Sequence, residues 1–207
     1  MTITLYHVHD PMCSWCYAFK PTLDKLREEL AANIKVVHVV GGLAKHSNEP
    51  MPKEQQETIE NIWYQIEEQV GTKFNHDFWK NCQPRRSTYL SCQATMLARY
   101  EGKEDEMIAG IQEAYYQEAK NPSDANTLIQ VAKQIGLDEK KFEQDLKSPK
   151  IEQDLQDELN LRRSLYVRSF PSLVLKYKKE LYPINLKYND HESMLKQIKD
   201  LTENIYF

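Results

Sequence analysis

Two cysteines three positions apart, Cys13 and Cys16, are the residues of this 207-residue chain best suited to do chemistry. A thiol attacks sulfur only as the thiolate, so its surroundings decide its reactivity. The Cys-Ser-Trp-Cys segment lies where an alternating apolar stretch gives way to an amphipathic run. Two such cysteines at a helix start sit about one turn apart, within reach of the ~5.5–6 Å Cα separation a disulfide prefers. Cys13 falls at the helix end, where unpaired N–H groups and the macrodipole favour a thiolate. Cys16 falls one turn inside and should be more buried. The expected chemistry is exchange: Cys13 as nucleophile forms a mixed disulfide and Cys16 resolves it. Two other uses of the pair fit less well. A four-ligand zinc site needs a second Cys-x-x-Cys or a His-rich spacing, whereas Cys82 and Cys92 are nine residues apart internally and flank Pro84. Two unrelated buried thiols would leave the flanking pattern unexplained. No metal site is expected.

The elements that position the dithiol follow from hydrophobic period. Thr2 to Val8 alternate and are rich in β-formers, so they read as a strand. A helix from about Ser14 to Ala31 buries Phe19, Leu23, Leu26 and Leu30. Pro21 lies inside it, where proline costs roughly 3 kcal/mol and kinks the helix. Ile34 to Val40 is a nearly continuous apolar run that suits a strand buried on both faces, ended by Gly41-Gly42. Strand, helix, strand of this length is a parallel βαβ unit. From about Pro52 to Leu165 the period is helical. Ile59, Ile62, Trp63, Ile66 and Val70 form one stripe, and a short turn is expected around Phe78-Trp79. Further helices are expected to be capped by Ser87, by Ser123 (closed by Gly136) and by Ser148, with Pro149 at the first helical position. The period then returns to two. Ser172 to Tyr177 and Leu181 to Leu186 read as strands around a Lys178-Lys179-Glu180 turn, and Asp190 caps a last helix. Fold class is therefore α/β: βαβ, then a large all-helical insertion, then ββα. The expected division is residues 1–48 and 166–203 as one discontinuous domain and 49–165 as the inserted one.

Bulk properties narrow the function. Hydrophobic content is 41% and charged content 28%, which suits a packed core rather than disorder. A net charge of −4 offers no basic excess to release counterions, so neither nucleic acid nor a membrane surface is expected as partner. Four cysteines are too few for a disulfide-stapled secreted scaffold. With no apparent leader or membrane-length apolar run, a cytoplasmic setting is expected. The closing Glu203-Asn204-Ile205-Tyr206-Phe207 resembles a protease-tag remnant, equally suits a native tail, and carries no functional argument.

Lesser candidates have bland readings beside the functional ones. Trp15, between the cysteines, suits an exposed aromatic that docks substrate or one that shields the disulfide. Asp10 suits a structural cap on the approach to the helix. Cys92 reads as buried filler, Cys82 is uncommitted, and Arg85-Arg86 suit an anion or solvation. Phe170-Pro171 immediately precedes the third strand, a position where a proline need not donate to a ladder.

A strand ending at a Cys-x-x-Cys that opens a helix is a thioredoxin-like redox signature, and the chain resembles the DsbA-like thioredoxin family, in its group of predicted protein-disulfide isomerases. The resemblance runs through His9-Asp10-Pro11-Met12-Cys13-Ser14-Trp15-Cys16, Gly41-Gly42-Leu43-Ala44, Pro84-Arg85-Arg86-Ser87-Thr88-Tyr89, Ala114-Tyr115-Tyr116 to Asn121-Pro122-Ser123-Asp124, and Phe170-Pro171-Ser172-Leu173-Val174-Leu175. It implies a thioredoxin fold. It also implies a helix-bending proline at Pro21, a cis-proline at Pro171 opposite the dithiol, and substrate docking against Trp15, Phe170 and Pro171. His7 stands at the offset where the family often carries a buried acid for proton transfer, a role histidine can fill near neutral pH. Tyr17-Ala18, Gln93 and Ser169 depart from the family's usual aromatic-glycine, arginine and glycine.

The function expected is thiol–disulfide oxidoreductase (oxidase, reductase or isomerase) acting on thiol- or disulfide-containing proteins through the Cys-Ser-Trp-Cys dithiol. Exchange itself needs no cofactor, with glutathione the one redox co-substrate to consider. Two alternatives stand beside it. One is a glutathione-dependent transferase or isomerase acting on a small molecule, known from relatives with serine at the first cysteine and marked by a deep apolar pocket beside Cys13. The other is a non-catalytic redox-sensing adaptor.

Overall fold

A computed structural model describes residues 3–203. Thr2 and residues 204–207 of the closing tail lie outside the described residues. Strand β1 (Ile3–His9) leads into helix α1 (Ser14–Glu29), which returns to strand β2 (Ile34–Val40). Seven helices follow: α2 (Lys53–Val70), α3 (Phe78–Asn81), α4 (Tyr89–Tyr100), α5 (Glu104–Tyr116), α6 (Ala125–Gln134), α7 (Glu139–Leu146) and α8 (Pro149–Ser164). Strands β3 (Ser172–Tyr177) and β4 (Glu180–Ile184) and helix α9 (His191–Glu203) close the chain. The sheet order is β2-β1-β3-β4. β1 pairs parallel with β2, putting His7 opposite His38, and antiparallel with β3, putting His7 opposite Leu173.

The apolar run of β2 was expected to be buried on both faces. It is instead an edge strand, and its first half is partly exposed. What makes an apolar edge tolerable is cover. Glu158 of α8 accepts a 2.7 Å hydrogen bond from the Val40 N–H and is itself ion-paired to Arg99. One sheet face packs Ile3, Leu5, Leu173 and Leu175 against Phe19, Leu23 and Leu26 of α1 and Met194, Leu195 and Ile198 of α9. Helices α4 to α8 share a core that includes Val40. An aromatic cluster of Trp63, Phe74, Phe78, Tyr115 and Tyr116 packs on Met12 and Ala18, so the helical insertion buttresses the dithiol segment from below.

Two expected caps shift by one residue. The N-cap of α4 is Thr88, not Ser87, and that of α6 is Asp124, not Ser123. Both serines have other partners: Ser87 Oγ accepts from the Ser47 N–H at 3.2 Å and Ser123 Oγ donates to the Ser87 carbonyl at 2.8 Å. Ser148 does cap α8, accepting from the Ile151 N–H at 3.3 Å with Pro149 as the first helical residue. Asp190 accepts from the Ser193 N–H at 3.0 Å at the start of α9. The β3–β4 turn is tighter than expected, because Glu180 belongs to β4 and Lys178 takes φ 57°. No helix among the described residues is long and apolar enough to cross a membrane.

Candidate active site

Cys13 is the N-cap of α1, with extended backbone (φ −86°, ψ 117°), and Cys16 lies one turn in. All four cysteines are free thiols. Cys13 is 8% exposed and Cys16 3%. The turn before the helix is fixed by the Cys13 N–H, which donates to the Asp10 carbonyl at 3.0 Å. Within the motif, Ser14 Oγ accepts a 2.9 Å hydrogen bond from Trp63 Nε1 of α2. Trp15 is half-buried against Tyr188, 5.2 Å between ring centres, and its carbonyl accepts from the Tyr188 hydroxyl at 3.3 Å.

The two thiols are driven apart electrostatically. The Cys13 thiol is held below its ordinary range, first by a hydrogen bond from the Cys16 thiol and further by the Cys16 and Trp15 backbone N–H groups, against the opposing effect of burial. Burial pushes the Cys16 thiol well up, and the neighbouring Cys13 sulfur adds to the shift. The shifts run in opposite directions, Cys13 toward easier ionisation and Cys16 away from it. Alkylation follows directly. Iodoacetamide should modify Cys13 with a midpoint below that of an ordinary thiol, and Cys16 should resist to higher pH. Mass-mapped rates against pH check this, and equal midpoints would contradict it.

The Phe170–Pro171 bond is cis and leads into β3. The Phe170 carbonyl lies 3.7 Å from Cys13 Sγ, which donates to it. Gly41 makes room for the Phe170 ring: a Cβ there would fall 2.3 Å from the ring. Arg162 lies over that ring, 5.9 Å from its centre, and donates to the Gly41 carbonyl at 2.9 Å. Thus the glycine pair after β2 and the proline loop before β3 are packed as one unit beside Cys13.

A cavity of about 350 Å³ opens at this point. Cys13, Trp15 and Phe170 line it, with Met51, Ile59 and Ile62 supplying apolar wall and Arg85, Arg86 and Arg168 supplying charge. Arg85 is paired to Asp124, whereas Arg86 and Arg168 form no ion pair among the described residues. Sequence reasoning found the Arg85-Arg86 pair but had no signal for Met51 or Arg168.

Asp10 is the least expected element. It is fully buried, and one oxygen accepts from the Met12 N–H at 2.9 Å. The other accepts from the Leu43 N–H at 2.7 Å, the Thr88 hydroxyl at 2.7 Å and the Cys92 thiol at 3.5 Å. Its carboxyl is nonetheless raised above the usual range, because burial outweighs these donors. Asp10 therefore ties the dithiol turn to the segment after β2 and to α4, beyond the local cap expected of it. Cys92 is buried against this carboxylate and pushed well up by burial. Cys82 is half-buried and donates to the Ala119 carbonyl at 3.0 Å.

His7 stacks on His9, 4.9 Å between ring centres, and its Nδ1 lies 2.9 Å from Nδ1 of His38. It shares a small cavity with Cys16. Histidines 9 and 38 carried no weight in the sequence. The signal for them was the paired spacing on two strands that a parallel βαβ unit places side by side.

Comparison with known proteins gives the family and the fold. A family model described as thioredoxin matches residues 6–197. Curated relatives include the ClpXP adapter protein SpxH of Halalkalibacterium halodurans, 26% identical over 178 residues that cover 83% of this chain and 58% of the relative. The SpxH protein of Bacillus subtilis is 24% identical over 174 residues, covering 83% and 57%. The chain thus spans less than two thirds of the length of these relatives. Among solved structures, a candidate protein disulfide isomerase from Nitrosomonas europaea superposes with TM-score 0.83 at 23% identity, covering 98% of this chain and 100% of that one. The cytosolic disulfide reductase DsbM of Pseudomonas aeruginosa gives 0.77 at 19%, covering 97% and 99%. The architecture is that of the DsbA-like thioredoxin fold.

Proposed function

The chain belongs to the thioredoxin family, and from that premise we propose that it is a thiol–disulfide oxidoreductase working through Cys13 and Cys16. The observation that carries this reading is the placement of Cys13 at the N-cap of α1 with Cys16 one turn inside, which eases ionisation of the first thiol and disfavours it for the second. In the reducing direction the Cys13 thiolate attacks a substrate disulfide. A Cys13–substrate S–S bond forms, the substrate S–S bond breaks, and the departing sulfur takes a proton. Cys16, once deprotonated, attacks the Cys13 sulfur and releases the second substrate thiol. The substrate gains two electrons and the protein is left with a Cys13–Cys16 disulfide. The same steps in reverse oxidise a dithiol, and the reduction potential against the surroundings selects the direction.

Trp15, Phe170 and Pro171 form the rim on which a protein substrate docks in this reading. Glutathione is the small co-substrate the cavity suits best, since Arg86 and Arg168 offer charge to its carboxylates while Cys13 faces its sulfur. A structure of DsbM from Pseudomonas aeruginosa with GSH, similar at TM-score 0.75, supports that choice. A cytoplasmic setting would supply glutathione as the final reductant. The test is the Cys16→Ala protein, which keeps the attacking thiol but lacks the resolving one. It should accumulate mixed disulfides on Cys13 with glutathione and with a disulfide-bonded protein, detected by intact mass. If no adduct forms on Cys13 with either, the proposal fails.

A redox-responsive adaptor is the second reading, favoured by the relatives described as ClpXP adapter proteins. It predicts that wild-type protein shows no turnover in insulin-reduction or refolding assays, while Cys13→Ser still binds the partner.

A further inference from the structure

Away from the dithiol, three histidines meet inside the molecule. His7 and His9 share one face of β1, and His38 of β2 pairs in register with His7. All three are buried, and one donor nitrogen from each lies within 4.8 Å of the others. Their hydrogen bonds define where the lone pairs sit. His38 Nε2 is 3.1 Å from Asp105 Oδ1, so it carries the proton and leaves Nδ1 as an acceptor. His7 Nδ1, at 2.9 Å, is then the donor to that nitrogen, which makes His7 Nε2 a bare lone pair. His7 Nε2 and His9 Nε2 are both buried without a hydrogen-bond partner among the described residues, as is Gln112 Oε1. Such groups ordinarily find a partner.

We infer that His7, His9 and His38 form a binding site for a divalent transition metal of the zinc class, distinct from the exchange centre at Cys13. Four observations support the assignment. Imidazole nitrogens are the ligands zinc, copper and nickel prefer, and three of them are the protein share of a site with an open fourth position. Tetrahedral bonds of ~2.0–2.1 Å put ligand nitrogens about 3.3 Å apart, against 4.8 Å or less here, and binding would exchange the His7–His38 hydrogen bond for bonds to the metal. The His38 ring is already oriented by a carboxylate on its far nitrogen, and Asp105 is itself fixed by two hydrogen bonds from Arg27, at 2.9 and 2.8 Å. A cavity of about 20 Å³ lies among these histidines and reaches Lys20, Asp24 and Arg27, which are partly exposed and mark the way in.

One further property fits. Lys20 with Asp24 and Arg27 with Asp105 cancel as pairs, so no net positive charge guards the entrance. Cys16 lines the same cavity.

Because a free dithiol also binds zinc, the experiment uses the full chain with Cys13→Ser and Cys16→Ser. Cobalt(II) and zinc(II) are titrated into it, with cobalt absorption reporting geometry and zinc-dependent melting reporting linkage. The expected result is one bound cobalt with a four-coordinate spectrum and a melting temperature that rises with zinc. Asp105→Asn, at a half-exposed site, should weaken binding ~10–100-fold, and His38→Gln should abolish it. No binding to the serine protein, or equal affinity in Asp105→Asn and His38→Gln, would overturn the assignment. Asp105→Asn keeps the test valid where the buried histidine variant does not fold.

Discussion

Replacing Cys13 with serine should lower disulfide exchange by at least about a thousandfold, the scale seen when a covalent nucleophile is removed. A serine hydroxyl stays protonated at neutral pH and does not attack sulfur. Cys16 cannot stand in, because it is 3% exposed and its thiol is pushed well up by burial. The same substitution in a merely structural thiol would leave rates unchanged. The contrast with Cys16→Ala separates the two roles. That protein keeps the first half-reaction and stalls as an adduct, whereas Cys13→Ser forms none. Stopped-flow turnover of a disulfide peptide, beside intact mass of each variant, measures both.

Removing the Asp10 carboxylate should have the largest effect on stability, about 3–5 kcal/mol for Asp10→Ala. The side chain is fully buried and satisfies two backbone N–H groups, a hydroxyl and a thiol. Each buried donor left without a partner costs ~1–3 kcal/mol. Thr88 recovers part of that loss, since its hydroxyl lies 3.4 Å from the Ala44 carbonyl. A domain is stable by only ~5–15 kcal/mol, so the variant should sit near the edge of folding. Its pH dependence has a defined sign. The folded-state Asp10 value is raised, so the unfolded chain ionises first. The contribution of Asp10 is therefore fully present below about pH 4 and is lost as pH rises through the folded value. Urea melts across this window should show a stability difference between wild type and Asp10→Asn that narrows as pH rises. Asp10 also raises the Cys13 thiol through its charge, so Asp10→Asn should move Cys13 alkylation to lower pH. Unchanged melts and an unchanged alkylation midpoint would show the carboxylate to be dispensable.

What the sequence disclosed and what it hid divide by range. Ile34–Val40 and Ser172–Tyr177 were legible to the residue because apolar period and flanking glycine or proline are local signals. The cap at Ser148 was legible because hydroxyl, proline and apolar run follow one another. Ser87 and Ser123 misled because their hydroxyls bond across the chain, to Ser47 and to the Ser87 carbonyl. The edge position of β2 was hidden because α8, more than 100 residues later in sequence, covers its apolar side and binds it through Glu158. The Asp10–Thr88–Cys92 network spans separations of 78 and 82 residues and leaves no local trace. The dithiol itself was legible from two cysteines at a strand-to-helix junction, but the difference between the two thiols depends on their burial and mutual hydrogen bond.

The central claim is that Cys13 and Cys16 cycle between dithiol and disulfide. Equilibrating the protein across a series of glutathione ratios, quenching with acid and counting free thiols by mass measures this directly. The Cys13–Cys16 disulfide should form and disappear in a single two-electron transition, with Cys82 and Cys92 remaining thiols throughout. A protein in which that disulfide forms at no ratio would contradict the account.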